Sequence, residues 1–219
     1  MRSPKLNSRT ANASALLGPP VSLRNTLQDH LAVSAHSYTA RVAKLVRQVP
    51  PESIAAVAQQ INASRLARRT VFTMGNGGSA TTALHMTNDL SNATNGTASP
   101  VATRAICLNA NISLFSALAN DRGYEEVFTQ QLSCLLREGD IVIGISASGN
   151  SPNCVNGLKY ARQRGSITVG LLGFDGGLMK GLCDYFIHVP CHDYRLVEDV
   201  HLAISHALSF CLMNAAGCE

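Results

Sequence analysis

The chain has no tryptophan, aromatic residues make up only 5% of its 219 positions, and charged residues only 15%. With 46% hydrophobic residues, this is the composition of a soluble globular protein rich in Ala, Val, Leu and Gly, and the length suits one larger domain with one core. No apolar run approaches the roughly 18 residues of a membrane span, so no membrane partner is expected. Also missing is any C-x-x-C spacing among Cys107, Cys134, Cys154, Cys183, Cys191, Cys211 and Cys218. That argues against a zinc-cysteine site and a disulfide scaffold, and leaves most of them as small buried hydrophobes. The opening "MRSPKLNSRTANASALLGPP" lacks the apolar segment of a secretory signal. Residues 1–20 therefore read as a flexible tail, residues 21–219 as the folded domain, and the expected setting is cytoplasmic.

Negative charge is scarce in the first third. Residues 1–70 hold ten Lys/Arg against Asp29 and Glu52, whereas residues 71–219 hold eight against twelve Asp/Glu. A basic N-terminal region can serve a nucleic acid or an acidic partner, but its plainer reading is a solvated helix face plus a loose tail. No helix-turn-helix precedes the rest of the chain, and no nucleic-acid partner is expected.

From Val21 the apolar spacing is helical until Pro50-Pro51, and a second helix follows from Pro51 to about Arg68. Strands and helices then alternate. "TVFTMG", "TRAICLN", "GDIVIGIS", "SITVGLLG" and "YFIHVP" read as strands. "SATTALHMTNDL", "ISLFSALAND", "YEEVFTQQLSCLLRE", a segment from Pro152 to Gln163, a short one near Leu178–Leu182 and a last one from about Leu196 to Met213 read as helices. This alternation predicts an α/β fold with a parallel sheet covered on both faces. Ligands in such folds bind beyond the carboxyl ends of the strands, where "GNGGS" and "SASGNS" stand.

"GNGGSA" matches a dinucleotide fingerprint through Gly75, Gly77 and Ala80, but the next strand ends in "ICLNAN" without the carboxylate that would hold a ribose. There is no Walker lysine either, so no nucleotide cofactor is expected. "SASGNSPN" instead offers the hydroxyls of Ser146, Ser148 and Ser151, the amides of Gly149 and Asn150, and a helix start at Pro152, which suit a single phosphate on a small molecule. His85 and Asp89, four residues apart, return to nearly the same helix face.

Taken singly, these features have ordinary explanations: a surface ion pair, a core histidine, a turn. Taken together, "GNGGSA…H…D", "ANDRG", "GDIVIGISASGNS", "LLGFDGG" and "VEDVHLAISH" resemble the sugar isomerase (SIS) domain family, and within it the phosphoheptose isomerases, from about Val21 to Leu212. The resemblance implies a single domain with a five-stranded parallel sheet of flavodoxin-like order behind N-terminal helices. It further implies a homotetramer with active sites at subunit interfaces, and interconversion of sedoheptulose 7-phosphate, or a similar ketose phosphate, with an aldoheptose 7-phosphate. Asn76, Gly77, Ser79, Asp121, Ser146, Ser148 and Ser151 fall on substrate-binding positions, Asp89 on the catalytic base and His206 on the acid. His85, Asp89, Glu198 and His206 fall on positions that bind zinc in some members.

The chain also departs from the family pattern. Ala147 replaces a hydroxyl residue of the phosphate loop, Asp89 replaces Glu, Glu198 replaces Gln, and Ala93 and Arg195 replace an Arg and an Asp. Non-catalytic relatives that bind DnaA keep the fold and lose catalytic residues, so a regulatory role is the alternative to an isomerase. The imidazoles at 85 and 206 and the carboxylate at 89 favour the enzyme.

Overall fold

The computed structural model describes residues 21–95 and 101–217. The expected tail, residues 1–20, lies outside the described residues. Two compact units divide within the first helix, α1 (Val21–Gln48): one ends at Arg41 and the other runs from Val42 onward.

In the unit from Val42 onward α2 (Pro51–Leu66), with Pro51 at its first position, precedes β1 (Thr70–Gly75), α3 (Gly78–Ala93), β2 (Arg104–Cys107) and α4 (Ile112–Arg122). After a 3-10 turn (Tyr124–Glu126) come α5 (Val127–Leu135), β3 (Ile141–Ser146), α6 (Pro152–Gln163), β4 (Ile167–Leu172), α7 (Gly177–Lys180), β5 (Tyr185–His188) and α8 (Tyr194–Gly217). All pairings are parallel and the sheet order is β2-β1-β3-β4-β5, the expected flavodoxin-like order. The helix expected over "YEEVFTQQLSCLLRE" is shorter than its pattern, because Leu136 turns extended and Arg137 N–H donates to the Asp140 carboxylate at 2.8 Å.

Every residue of β1 and β3 is buried. Successive strand residues point to opposite faces, so Val71, Ile141, Ile143 and Ile145 pack with α2, α3 and α8, while Phe72, Met74 and Val142 pack with α5 and α6. Helix α8 has a mean hydropathy of 1.3 over an 18-residue window, enough in length and composition to cross a membrane. Its apolar residues Val197, Val200, Ile204, Leu208 and Leu212 recur every three or four positions and are all in the core, whereas Phe210 and Met213 on the same helix are exposed.

On the same helix His201 is fully buried, and burial pushes its pKa down from 6.5 to about 4, a hydrogen bond to the Leu172 backbone opposing the shift and the nearby His188 adding to it. Above pH 6.5 this ring is neutral in both the folded and unfolded chain and has no effect on stability. Between about pH 6.5 and 4 the unfolded chain binds the proton and the folded chain does not, so stability falls as pH falls. The expected slope from this group is about 1.4 kcal/mol per pH unit. Urea unfolding from pH 7 to 5 should show a flatter profile for His201→Leu than for the wild type; equal slopes would refute the assignment.

Candidate active site

Two loops at the carboxyl ends of β1 and β3 are tied together by amide side chains. Asn109, just beyond β2, accepts from Gly75 N–H at 3.2 Å and donates to the Gly75 carbonyl at 2.9 Å. Asn76 and the buried Asn153 exchange side-chain amide bonds at 2.8 and 2.9 Å, and the Tyr124 hydroxyl donates to Asn76 Oδ1 at 2.9 Å. None of Asn109, Asn153 and Tyr124 was anticipated as a site residue. The first two stand in stretches already singled out, "ICLNAN" and "SASGNSPN", whereas nothing local marks Tyr124.

Between the loops lies a hollow of about 120 Å³ lined by Asn76, Ser79, Ser146, Ser148, Ser151, Tyr194 and Glu198, with Ile145 and Ala147. Ligand pockets for whole cofactors run from about 300 Å³ upward, so this one suits a phosphate group and not a dinucleotide. Ser146 Oγ lies 3.3 Å from Ser151 Oγ and accepts from Gly149 N–H at 3.1 Å, while Ser148 Oγ accepts from Asn150 N–H at 3.2 Å. Helix α6 starts at this loop, and its N-terminal dipole favours an anion there. From behind, α7 braces the loop: Met179 N–H donates to the Gly149 carbonyl at 3.0 Å and Leu178 N–H to Asn150 Oδ1 at 2.9 Å. Gly77 shapes the first loop with a φ of 54° and does not line the hollow. Asp121 lies elsewhere, exposed on α4 and accepting from the Asn120 side chain at 2.8 Å.

Helices α3 and α8 run side by side in the same direction. Glu198 packs against Gly78, its carboxylate filling the space a Cβ there would need. Burial first, and then the charge of Asp199, raises the Glu198 pKa from its ordinary value. Moving along the groove, a hollow of about 250 Å³ is lined by Thr81, His85, Glu198 and Leu202, among others, and a further one of about 420 Å³ by Asp89, His206 and Phe210, among others.

Here His85 and Asp89 of α3 meet His206 of α8. The two Nε2 atoms are 2.9 Å apart, and Asp89 Oδ2 lies 3.2 Å from that of His85 and 3.6 Å from that of His206. This carboxylate oxygen is buried and receives no hydrogen bond. Ligands about 2.0–2.1 Å from a tetrahedral zinc stand about 3.3 Å from one another, a value the three separations bracket. In donor type and spacing the group therefore fits a zinc-like ion, and all three atoms lie within 4.8 Å of one another. Glu198, expected as a fourth ligand, is not in the group. It precedes His206 by two helical turns, about 12 Å of axial rise, and its carboxylate is held at Gly78.

Comparison with known proteins follows the same lines. The SIS domain model matches residues 37–173. A phosphoheptose isomerase of Pelobacter propionicus is 38% identical over 178 residues, covering 81% of this chain and 93% of that protein. One of Trichlorobacter lovleyi is 37% identical over 185 residues, covering 83% and 87%. The structure of a phosphoheptose isomerase from Neisseria gonorrhoeae superposes with a TM-score of 0.76 at 27% identity, covering 85% of this chain and 98% of that one.

Proposed function

Since the chain belongs to the SIS domain family, in its phosphoheptose isomerase branch, and is a sugar-phosphate isomerase, we propose that its substrate is a long-chain ketose phosphate, sedoheptulose 7-phosphate or a near analogue, converted to the aldoheptose 7-phosphate through an enediol. One observation carries this reading. The hydroxyl-lined phosphate hollow and the His85–Asp89–His206 group stand at opposite ends of one groove between α3 and α8. A ligand whose phosphate is held by Ser146, Ser148 and Ser151 must extend past Glu198, which lines both the phosphate hollow and the next one, to meet that group, a demand that favours a long chain over a three-carbon one.

In this mechanism the Asp89 carboxylate takes the proton from C1 of the ketose while His206 gives a proton to the carbonyl oxygen on C2, forming the enediol. Collapse in the aldose direction returns the Asp89 proton to C2, and the hydroxyl proton on O1 passes back to His206. Glu198, midway along the groove, orients the chain's hydroxyls. A zinc-like ion held by His85, Asp89 and His206 would polarise the carbonyl and the adjacent hydroxyl. Asp89 Oδ1 stays outside the group, with only Asn88 Nδ2 at 3.4 Å, and keeps a lone pair for the proton. On His206 the group uses only Nε2, so with an ion there the donated proton would be carried by the other ring nitrogen, Nδ1.

The test is direct. Purified protein is incubated with ketose phosphates of three to seven carbons and watched by NMR. Aldose should form fastest from the seven-carbon substrate, and no conversion of any member would overturn the proposal.

The assembly proposed is a homotetramer with sites at subunit interfaces. It is supported by the side chains of His85 and His206, which remain 44% and 56% exposed, and by Asp121, which lies off its own chain's hollow. A cytoplasmic setting agrees with the six described cysteines, all of them free thiols. Native mass spectrometry should find four chains carrying about one zinc-like ion each. A metal-free tetramer with full activity would remove the ion from the mechanism and leave His206 as the acid.

A further inference from the structure

At the other end of the sheet, where the parallel strands begin, the ends of α2 and α5 and the first residues of β1 and β2 enclose a hollow of about 360 Å³. Phe72, Ile106 and Leu135 give it an apolar floor, and Arg68, Arg69, Arg104 and Arg137 surround it. All four arginines are exposed, and none of their guanidinium groups has an ion-pair or hydrogen-bond partner among the described residues. The lining includes one carboxylate, that of Asp140, which is 2% exposed and already engaged by backbone: Oδ1 accepts from Thr70 N–H and Oδ2 from Arg137 N–H, both at 2.8 Å. Four like charges thus converge on one hollow with a single, committed counter-charge.

The backbone beneath Arg68 is a second and independent sign. Helix α2 ends with Arg68 N–H donating to Arg65 O at 2.9 Å and Arg69 N–H to Ser64 O at 2.8 Å, a Schellman turn whose left-handed position holds Arg68 at a φ of 57°. Helix α6 ends in the same turn, with Gly165 N–H on Arg162 O and Ser166 N–H on Ala161 O, and there the left-handed residue is the usual glycine at 71°. Among the described residues only Arg68 and Phe174 hold a positive φ without being glycine. At the rim of the hollow the chain tolerates a strained arginine, the kind of outlier that points to function. Arg69 has also been given room: its Nε lies 3.3 Å from where a Cβ on Gly139 would stand.

We propose that this hollow binds a small molecule carrying two or more phosphates on an apolar or aromatic body, a nucleoside diphosphate being the simplest form. Guanidinium groups pair with phosphate oxygens in a bidentate fashion, and several around one hollow call for more than one phosphate. The Phe72–Ile106–Leu135 floor receives the uncharged body, and the volume lies within the usual span of about 300–1,000 Å³ for ligand pockets. The site lies at the opposite strand ends from the phosphate loop and shares no residue with it.

Isothermal titration of the full chain at physiological salt, with ADP, inorganic pyrophosphate and adenosine as probes, tests this. ADP should bind once per chain, pyrophosphate more weakly, and adenosine not detectably. The double variant Arg104→Ser, Arg137→Ser should lose about tenfold or more in ADP affinity while isomerase turnover and subunit number stay as in the wild type. Arg68→Gly should bind ADP more weakly and yet melt at a higher temperature, a pairing that a merely structural arginine would not produce. The proposal is overturned if neither ADP nor pyrophosphate binds at millimolar concentration, if the double variant binds ADP as well as the wild type, or if Ser148→Ala abolishes ADP binding and so places it at the isomerase loop. A changed subunit number in the double variant would make the hollow a contact between copies, and tight binding of a single-stranded oligonucleotide without ADP binding would make it a nucleic-acid surface; each overturns it as well.

Discussion

Asp89→Asn is expected to lower turnover by about 100- to 10,000-fold, the range for loss of a positioned general base, and to abolish exchange of the substrate's C1 proton with solvent deuterium. The amide has nearly the carboxylate's shape and so preserves the packing of α3 on α8, but it cannot accept the proton. The substitution also removes one donor from the His85–Asp89–His206 group, so metal content must be measured on the same preparation. Exchange lost with the metal retained assigns proton transfer to Asp89. Glu198→Gln supplies the control and should reduce activity only modestly, since its carboxylate stands two turns away at Gly78. If Glu198→Gln stops exchange and Asp89→Asn does not, the roles are reversed. Asp89 stands where the family's pattern has a glutamate. A side chain shorter by one methylene displaces the carboxylate by roughly 1 Å, an error that can by itself cost on the order of 100-fold in rate unless the substrate sits correspondingly closer.

Gly149→Ala should have the largest effect on the phosphate loop. Gly149 has a φ of 65°, and a Cβ on it would run into the Gly176 carbonyl oxygen, a backbone atom that no rotamer change can move. The neighbouring strand of chain is equally tight: a Cβ on Gly177, itself at a φ of 53°, would meet the backbone of Ser148 and Gly149. Backbone strain and overpacking together should cost about 2–4 kcal/mol, read by urea unfolding. The disturbed loop should also raise KM for the phosphorylated sugar more than it lowers kcat, because phosphate binding is common to ground and transition states. Gly77→Ala is the comparison. That residue also has a positive φ, 54°, with a ψ of −124° outside the left-handed helical region, but nothing lies within 4 Å of its Cβ position, so only backbone strain of about 1–3 kcal/mol remains. Equal losses in the two variants would show that loop contact at Gly149 contributes nothing.

What could be read from the sequence was what short-range geometry determines. "TVFTMG" and "GDIVIGIS" are unbroken apolar runs because β1 and β3 are buried on both faces, and a strand in that position leaves no alternation to misread. Pro152 marks the start of α6 because proline suits the first helical turn, and the hydroxyls of Ser146, Ser148 and Ser151 converge because they share one tight loop. His85 and Asp89 meet for the same kind of reason, a four-residue step on one helix.

Other features depended on distances set by packing. Glu198 and His206 share α8, yet which of them reaches the His85–Asp89 pair depends on how far α3 lies along α8, and eight residues of axial rise leave Glu198 behind. Asn109 and Tyr124 reach the first loop from outside α3, and no local pattern encodes that reach. The arginine-lined hollow is the clearest case: Arg68, Arg69, Arg104 and Arg137 are scattered over some seventy positions and become neighbours only because the parallel register sets Thr70 beside Arg104 and the turn after α5 brings Arg137 back to Asp140. Dihedral preferences and apolar periodicity act over a few residues and are written along the chain, whereas a site assembled from several elements exists only once the sheet has fixed how they stand against one another.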